Sequence, residues 1–275
     1  MKQNNGEIRS IGVFDSGFGG LTVLRALLEQ LPGADYTYLG DTARLPYGAK
    51  SQATVARYAV SSARFLVEEG AEYLVIACNT ASALALDAIR DAVRVPVLGV
   101  IETGANAALA STATRDVLVM ATAATVESHA YAAACGERGL RAYEKACPLL
   151  VPLVEEGWID HQVTDEVLRI YLAELLAESA EKELSPDTLV LGCTHYPLLR
   201  ANIARAVPEG IRVIDSADVT AEQVASAIPH LKGEISVAQG SRLFYATDSV
   251  SKFRRLGEKF LGTPIDEVTL IDLGG

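Results

Sequence analysis

VIACNTAS at 75–82 and VLGCTHYP at 190–197 share one grammar: an apolar run, a cysteine, a small polar residue, then the start of a helix. A short apolar run with no alternating polar face reads as a strand buried on both sides, the kind that builds parallel sheets. A strand ending at its cysteine delivers the sulfur to the carboxyl edge of a sheet. Open α/β sheets receive their ligands at that edge, and the following helix presents its N-terminus there. Two such units facing one another place two thiols, Cys78 and Cys193, on one cleft.

Outward from these two units the alternation continues. The pattern predicts strands at 11–15, 36–40, 73–78, 95–100, 116–121, 188–193 and 211–215, with helices between them. The helices are clearest at 51–69, 80–93, 162–182 and 217–228, where apolar residues recur at three- and four-residue spacing. This is the signature of an α/β fold with mainly parallel sheets flanked by helices. No Pro-, Gly- or Ser-rich linker divides the chain, so two closely packed lobes are expected rather than separate beads.

Composition bounds the function. With 275 residues, 49% of them apolar, the chain can bury a substantial core, and disorder is excluded. A net charge of −11 repels phosphate backbones and anionic lipid, which argues against nucleic-acid or membrane binding and for a small-molecule ligand. No apolar run reaches the roughly 18 to 20 residues of a membrane-spanning helix, and MKQNNGEIRS at the start lacks a basic region followed by an apolar one. A cytoplasmic location is therefore expected. The four cysteines are too few and too scattered for a disulfide framework, so free thiols are expected.

A helix N-terminus stabilises an anion, and a thiol placed there is expected to ionise closer to working pH and to act as a base. A single cysteine at a strand end is more often a small buried hydrophobe, and Cys135 and Cys147 keep that reading. Cys78 and Cys193 differ because their contexts match and their neighbours are polar, Asn79 and Thr80 in one case, Thr194 and His195 in the other. A third candidate is GVFDSGFGG at 12–20. It is not a dinucleotide fingerprint, because Thr22 occupies the third glycine position, and it lacks the Gly-Lys-Ser/Thr ending of a phosphate loop. Asp15 and Ser16 instead fall where the first strand ends. Gly17, Gly19 and Gly20 are expected to let the chain turn sharply and bring backbone N–H groups to a carboxylate. A plain helix cap by Ser16 or Asp15, worth about 1 kcal/mol, is compatible with that role.

Taken together, FDSGFGGLTVL (14–24), YLGDTARLPYG (38–48), IACNTAS (76–82), VPLVEEG (151–157), LGCTHYPLL (191–199) and FYATDSVSKFRRLGEKFLG (244–262) resemble the glutamate racemases of the aspartate/glutamate racemase family. The likeness covers nearly the whole chain. It implies a bacterial amino-acid racemase that makes D-glutamate for peptidoglycan without pyridoxal phosphate or metal. It also implies two pseudo-symmetric α/β lobes, 1–104 plus 217–275 and 105–216, with the active site in the cleft between them, and a homodimer.

The same resemblance assigns roles. Cys78 is implied as the base toward D-glutamate, assisted by Asp15, and Cys193 as the base toward L-glutamate, assisted by His195 with Glu155. Substrate contacts are implied at Asp15, Ser16, Pro46, Tyr47, Gly48, Asn79, Thr80, Thr122, Thr194 and His195. Two positions depart from the family pattern. Ala121 stands before Thr122 where glycine is usual, which bears on Thr122 and Thr125 as contacts, and Leu45 occupies a variable position.

The residues alone leave other chemistries open. Cys193 with His195 is compatible with a cysteine hydrolase, in which Cys78 is dispensable. Cys78, Cys193 and His195 are ligand types that suit catalytic zinc. An amino-acid-binding protein without activity and a racemase of aspartate complete the alternatives.

Overall fold

The computed structural model describes residues 8–231 and 240–274. Residues 1–7, 232–239 and 275, which include most of the segment read above for a leader and parts of the expected first lobe, lie outside the described residues. Among the described residues, ten strands form two sheets. The first has the order β10 (Thr269–Leu270), β9 (Arg242–Ala246), β2 (Asp35–Gly40), β1 (Ser10–Asp15), β3 (Tyr73–Ile76), β4 (Val97–Gly99). The second has the order β6 (Arg141–Ala146), β5 (Asp116–Ala121), β7 (Thr188–Gly192), β8 (Arg212–Asp215). Every pairing in both sheets is parallel, and helices flank them.

The apolar runs form the inner strands because both of their faces are covered. β3, β5 and β7 are buried at every residue, and β1 is buried from Ile11 to Asp15. Three strands went unpredicted. RAYEKA of β6 is half-buried or exposed throughout, β9 is mixed, and the two residues of β10 are exposed. Such strands lack a continuous apolar run and are recruited by the hydrogen bonds of a neighbour. Two predicted strands end early, at Ile76 and Gly192, so that both cysteines have already left their sheets. The fourth is confined to Val97–Gly99: Pro96 contributes no N–H, and Val100 opens the helix Val100–Ser111.

The helix Leu21–Gln30 buries Leu21, Val23, Leu24, Ala26 and Leu27 and packs against the helix Ser216–Ala227, which also packs on Val100–Ser111. These helices join the two sheets. The C-terminal helix Val250–Leu261 returns to the first sheet, where buried Phe253 meets Phe18 at 6.0 Å and Tyr38 at 5.9 Å between ring centroids. Truncating Phe253 to alanine would cost about 3–5 kcal/mol. Among the described residues, no helix is long and apolar enough to cross a membrane.

Candidate active site

In each sheet the chain runs outward from a central strand first to one side, then to the other. The crevice so created lies between β1 and β3 in the first sheet and between β5 and β7 in the second. Register brings Phe14 opposite Ile76 and Ala121 opposite Gly192. The residues at or just beyond these strand ends, Asp15 and Cys78 in one lobe and Thr122 and Cys193 in the other, therefore converge. They meet at a cavity of about 410 Å³. From the first lobe Ser16, Pro46, Tyr47, Gly48, Cys78, Asn79 and Thr80 line it, and from the second Thr122, Glu155, Cys193, Thr194 and His195. Of the residues implied by the resemblance, Asp15 alone is not in the wall. It lies behind it, 1% exposed.

Cys78 is the N-cap of the helix Asn79–Ala92. Its sulfur accepts a hydrogen bond from the Ala81 N–H at 3.4 Å, and its S–H donates to Ser16 Oγ at 3.4 Å. Cys193 is followed by a short 3₁₀ turn, Tyr196–Leu199, before the helix Arg200–Ala206 begins. The expectation that helix starts bring both thiols toward working pH is overturned. Burial pushes Cys78 up to about 11, charge on Asp15 adds to this, and Ser16 and the backbone N–H groups offset only part. Burial raises Cys193 further, and charge on Cys78, Asp15 and Cys147 opposes its ionisation too, against a single N–H from His195. Exclusion of water outweighs the helix terminus here.

Asp15 Oδ2 accepts the Gly17 N–H at 2.8 Å, while Oδ1 has no partner among the described residues. Burial raises its carboxyl above the ordinary range, partly countered by His195 and by the N–H groups of Gly17, Gly20 and Ser16. The first helix has Gly20 as its N-cap with no side-chain cap, so neither Ser16 nor Asp15 caps it. The chain bends and turns through 16–20 as expected, but Gly17, Gly19 and Gly20 do so without positive φ. Close approach is the reason for two of them. A Cβ at Gly19 would lie 2.1 Å from Thr194 Oγ1 and 2.6 Å from His195 Nδ1, and one at Gly20 would lie 2.5 Å from Asp15 Cβ. Gly19 is thus where the two lobes touch behind the cavity.

His195 Nε2 lies 3.4 Å from Glu155 Oε1 without a well-aligned hydrogen bond, and the ring stands edge-on to Phe260 at 5.1 Å. Glu155 Oε2 receives Lys252 Nζ at 3.1 Å. Burial alone would raise the Glu155 carboxyl, but His195 and Lys252 together hold it below its ordinary value. Lys252 was missed because it lies 97 positions from its partner, on the C-terminal helix. Asp41 was missed as well. Fully buried, it accepts hydrogen bonds from Tyr47 Oη, from Arg44 Nε at 2.8 and 2.9 Å and from Thr247 Oγ1 at 2.9 Å, and so fixes the loop that carries Pro46 to Gly48. The Tyr47 hydroxyl is thereby committed to Asp41. The charge of Asp41 inside the already noted DTARLPYG was the signal available.

Thr80, Thr122 and Thr125 form a triangle of hydroxyls 2.9, 3.0 and 3.3 Å apart. Thr122 faces the cavity, whereas Thr125 stands behind it and orients the other two. The Ala121 methyl is fully buried among Tyr131, Val190 and their neighbours and takes no part in the wall. Among the described residues no group of three His, Cys, Asp or Glu side chains is arranged to hold a metal, Cys78, Cys193 and His195 included.

Two all-parallel α/β sheets facing each other across a cavity with two thiols define a class of two-lobed enzyme folds. The sequence profile of the Asp/Glu/Hydantoin racemase family matches residues 11–224. The chain is 52% identical to the glutamate racemase of Koribacter versatilis, over 96% of this chain and 98% of that one. It is 44% identical to the glutamate racemase of Syntrophus aciditrophicus, over 99% and 100%. The fold is similar to the crystal structure of glutamate racemase from Francisella tularensis in complex with D-glutamate, with a TM-score of 0.85 and 35% identity over 96% of this chain and 98% of that one. The chain belongs to the Asp/Glu/Hydantoin racemase family.

Proposed function

We propose that the protein interconverts L- and D-glutamate by proton transfer at the α-carbon between Cys78 and Cys193, with neither pyridoxal phosphate nor metal, and so supplies D-glutamate for peptidoglycan. The observation that carries this reading is the entry of two thiols into one cavity from two different sheets. Its volume of about 410 Å³ suits a small ligand. Glutamate is favoured because relatives of that name match the chain end to end and one of them holds D-glutamate.

Inversion requires one group to remove the α-proton and another to deliver a proton to the opposite face, so two acid/base groups flank a planar carbanion. Both thiols are protonated at neutral pH in the free cavity. The substrate's ammonium brings a positive charge that favours a thiolate beside it. Asp15 then takes the proton of Cys78, and in doing so loses the negative charge that opposed both thiolates. In that direction Cys193 keeps its proton and delivers it to the opposite face; in the reverse direction Cys78 stays a thiol while His195, beside Glu155, takes the proton of Cys193. Charge developing on the substrate carboxylate is met by N–H groups at the start of Asn79–Ala92 and by the hydroxyls of Thr80, Thr122 and Thr194. We place the enzyme in the cytoplasm as a homodimer, with lobes 1–104 plus 217–275 and 105–216.

The test is the fate of solvent deuterium at early times. Deuterium enters the product enantiomer and is nearly absent from recovered substrate, whichever enantiomer is supplied, because the delivering thiol has equilibrated with solvent and the receiving one is separate. Label in both pools would mean one shared base. Racemisation that survives excess EDTA completes the reading, and loss restored by zinc overturns it.

A further inference from the structure

Asn79 follows Cys78, forms part of the cavity wall and is 3% exposed. The two ends of its amide are treated differently. Oδ1 accepts a hydrogen bond from the Tyr131 hydroxyl at 2.7 Å, whereas Nδ2 is buried with no partner among the described residues. A buried N–H donor left unmatched is costly, and in a binding cavity such a donor is the end reserved for a ligand.

Tyr131 comes from the other lobe, on the helix Ala130–Gly136, and is 0% exposed. Its ring occupies a slot that two glycines leave open. A Cβ at Gly104 would lie 2.9 Å from Cε1 and 3.0 Å from the hydroxyl, and one at Gly192 would lie 2.9 Å from Cε2. The ring is therefore held on two edges, and its hydroxyl has little freedom to move away from Asn79. Burial keeps that hydroxyl protonated, so it remains a donor.

We propose that Tyr131 is a positioning residue that fixes the Asn79 amide with Nδ2, not Oδ1, toward a carboxylate of the substrate. The inference rests on the reading of Asn79 as a glutamate contact. Nothing about an amide's shape distinguishes its two ends, so a neighbour of fixed donor character must do so. With the hydroxyl gone, the amide is free to rotate, and a rotated amide turns its oxygen lone pairs on the carboxylate. Because donor and acceptor belong to different lobes, the bond also ties the orientation of the contact to the seating of the lobes on each other.

The experiment is a double-mutant cycle of Y131F and N79A, with kcat and KM for both enantiomers of glutamate and a thermal melt for each variant. Y131F raises KM about three- to tenfold and leaves kcat within about twofold, as expected for one lost hydrogen bond. N79A raises KM at least as much, and the double variant is no worse than N79A alone. Wild-type KM in Y131F, or a Y131F penalty that persists in full in the N79A background, overturns the proposal, whatever the melting temperatures. If N79A itself keeps the wild-type KM, the reading of Asn79 as a contact falls and the proposal with it. Should Y131F not fold, the wild-type protein decides. The Asn79 side-chain amide, assigned in an ¹⁵N spectrum by its loss in N79A, shifts on addition of D-glutamate, and an unmoved signal overturns the proposal.

Discussion

Cys78 and Cys193 follow equivalent strands in the two sheets, yet the chain beyond them differs. After Cys78 comes a 14-residue helix, and the sulfur receives the Ala81 N–H and shares a hydrogen bond with Ser16. After Cys193 comes a four-residue 3₁₀ turn with Pro197, and a single N–H, from His195, favours the thiolate. Both are buried to a similar degree, so the end with fewer donors is pushed further from ionisation. The difference in their partners follows the same line. Behind the better-served cysteine stands one carboxyl, Asp15. Beside the poorly served one stands a row of polar groups, His195, Glu155 and Lys252, that crosses from the second lobe to the C-terminal helix. Equal position at a sheet edge does not mean equal capacity to hold a charge.

The comparison breaks most decisively on the cysteines themselves. C78S and C193S each lose at least about a thousandfold in racemisation, because a serine hydroxyl is far too weak an acid to alternate as base and acid near neutral pH. Each variant still deprotonates the enantiomer its remaining cysteine reaches. With a glutamate analogue carrying a β-leaving group, which eliminates after α-deprotonation, C193S acts on the D form and C78S on the L form. Near-wild-type racemisation by either variant, or elimination from the same enantiomer by both, ends the two-cysteine reading.

The partner groups give a smaller and more pointed effect. The equilibrium constant of a racemisation is one, so kcat/KM must fall equally in both directions and cannot reveal which half of the site was damaged. One-way elimination can. D15N slows elimination through Cys78 about tenfold more than through Cys193, and E155Q does the reverse, in line with the usual contribution of a positioned acid/base partner. Equal slowing of both enantiomers in both variants would mean that Asp15, which is electrostatically coupled to both sulfurs, serves them as one unit.

The smallest effect concerns stability in the absence of substrate. Folding holds Cys78 and Cys135 up to about 11 and Cys147 up to about 12, above the ordinary thiol value of about 8.5. Between these values the unfolded chain has lost thiol protons that the folded one retains. Stability contributed by the buried neutral thiols is therefore full below about pH 8.5 and declines as pH rises toward 11. The melting temperature should fall across that window, and C78S should shorten the decline by removing one titrating group. An identical alkaline decline in C78S would show that Cys78 ionises in the folded protein as readily as in the unfolded one.

Much of this was legible in the primary structure, for a physical reason. A strand buried on both faces must be apolar at nearly every residue, so VLVMA and TLVLG announce themselves, and a cysteine at the end of such a run is at a sheet edge wherever the sheet lies. The helices with charged outer faces are equally local statements. Strand β6 was not legible, because R-A-Y-E-K-A meets no condition of burial and pairs only because β5 offers an edge.

The sequence by itself determined the α/β class, the two strand-cysteine-turn units and the motifs that mark the family, since each depends on residues within a few positions of one another. Tertiary structure decided the rest. It set Gly19 against Thr194 and His195, Lys252 against Glu155, Arg44 and Thr247 on Asp41, and the Tyr131 hydroxyl on Asn79. It also reversed the expected acidity of both thiols. A helix start is a local feature and can be read from a string of residues, but desolvation is imposed by the opposite lobe, and no residue near a cysteine in the chain reports how much water the far side of the cleft excludes.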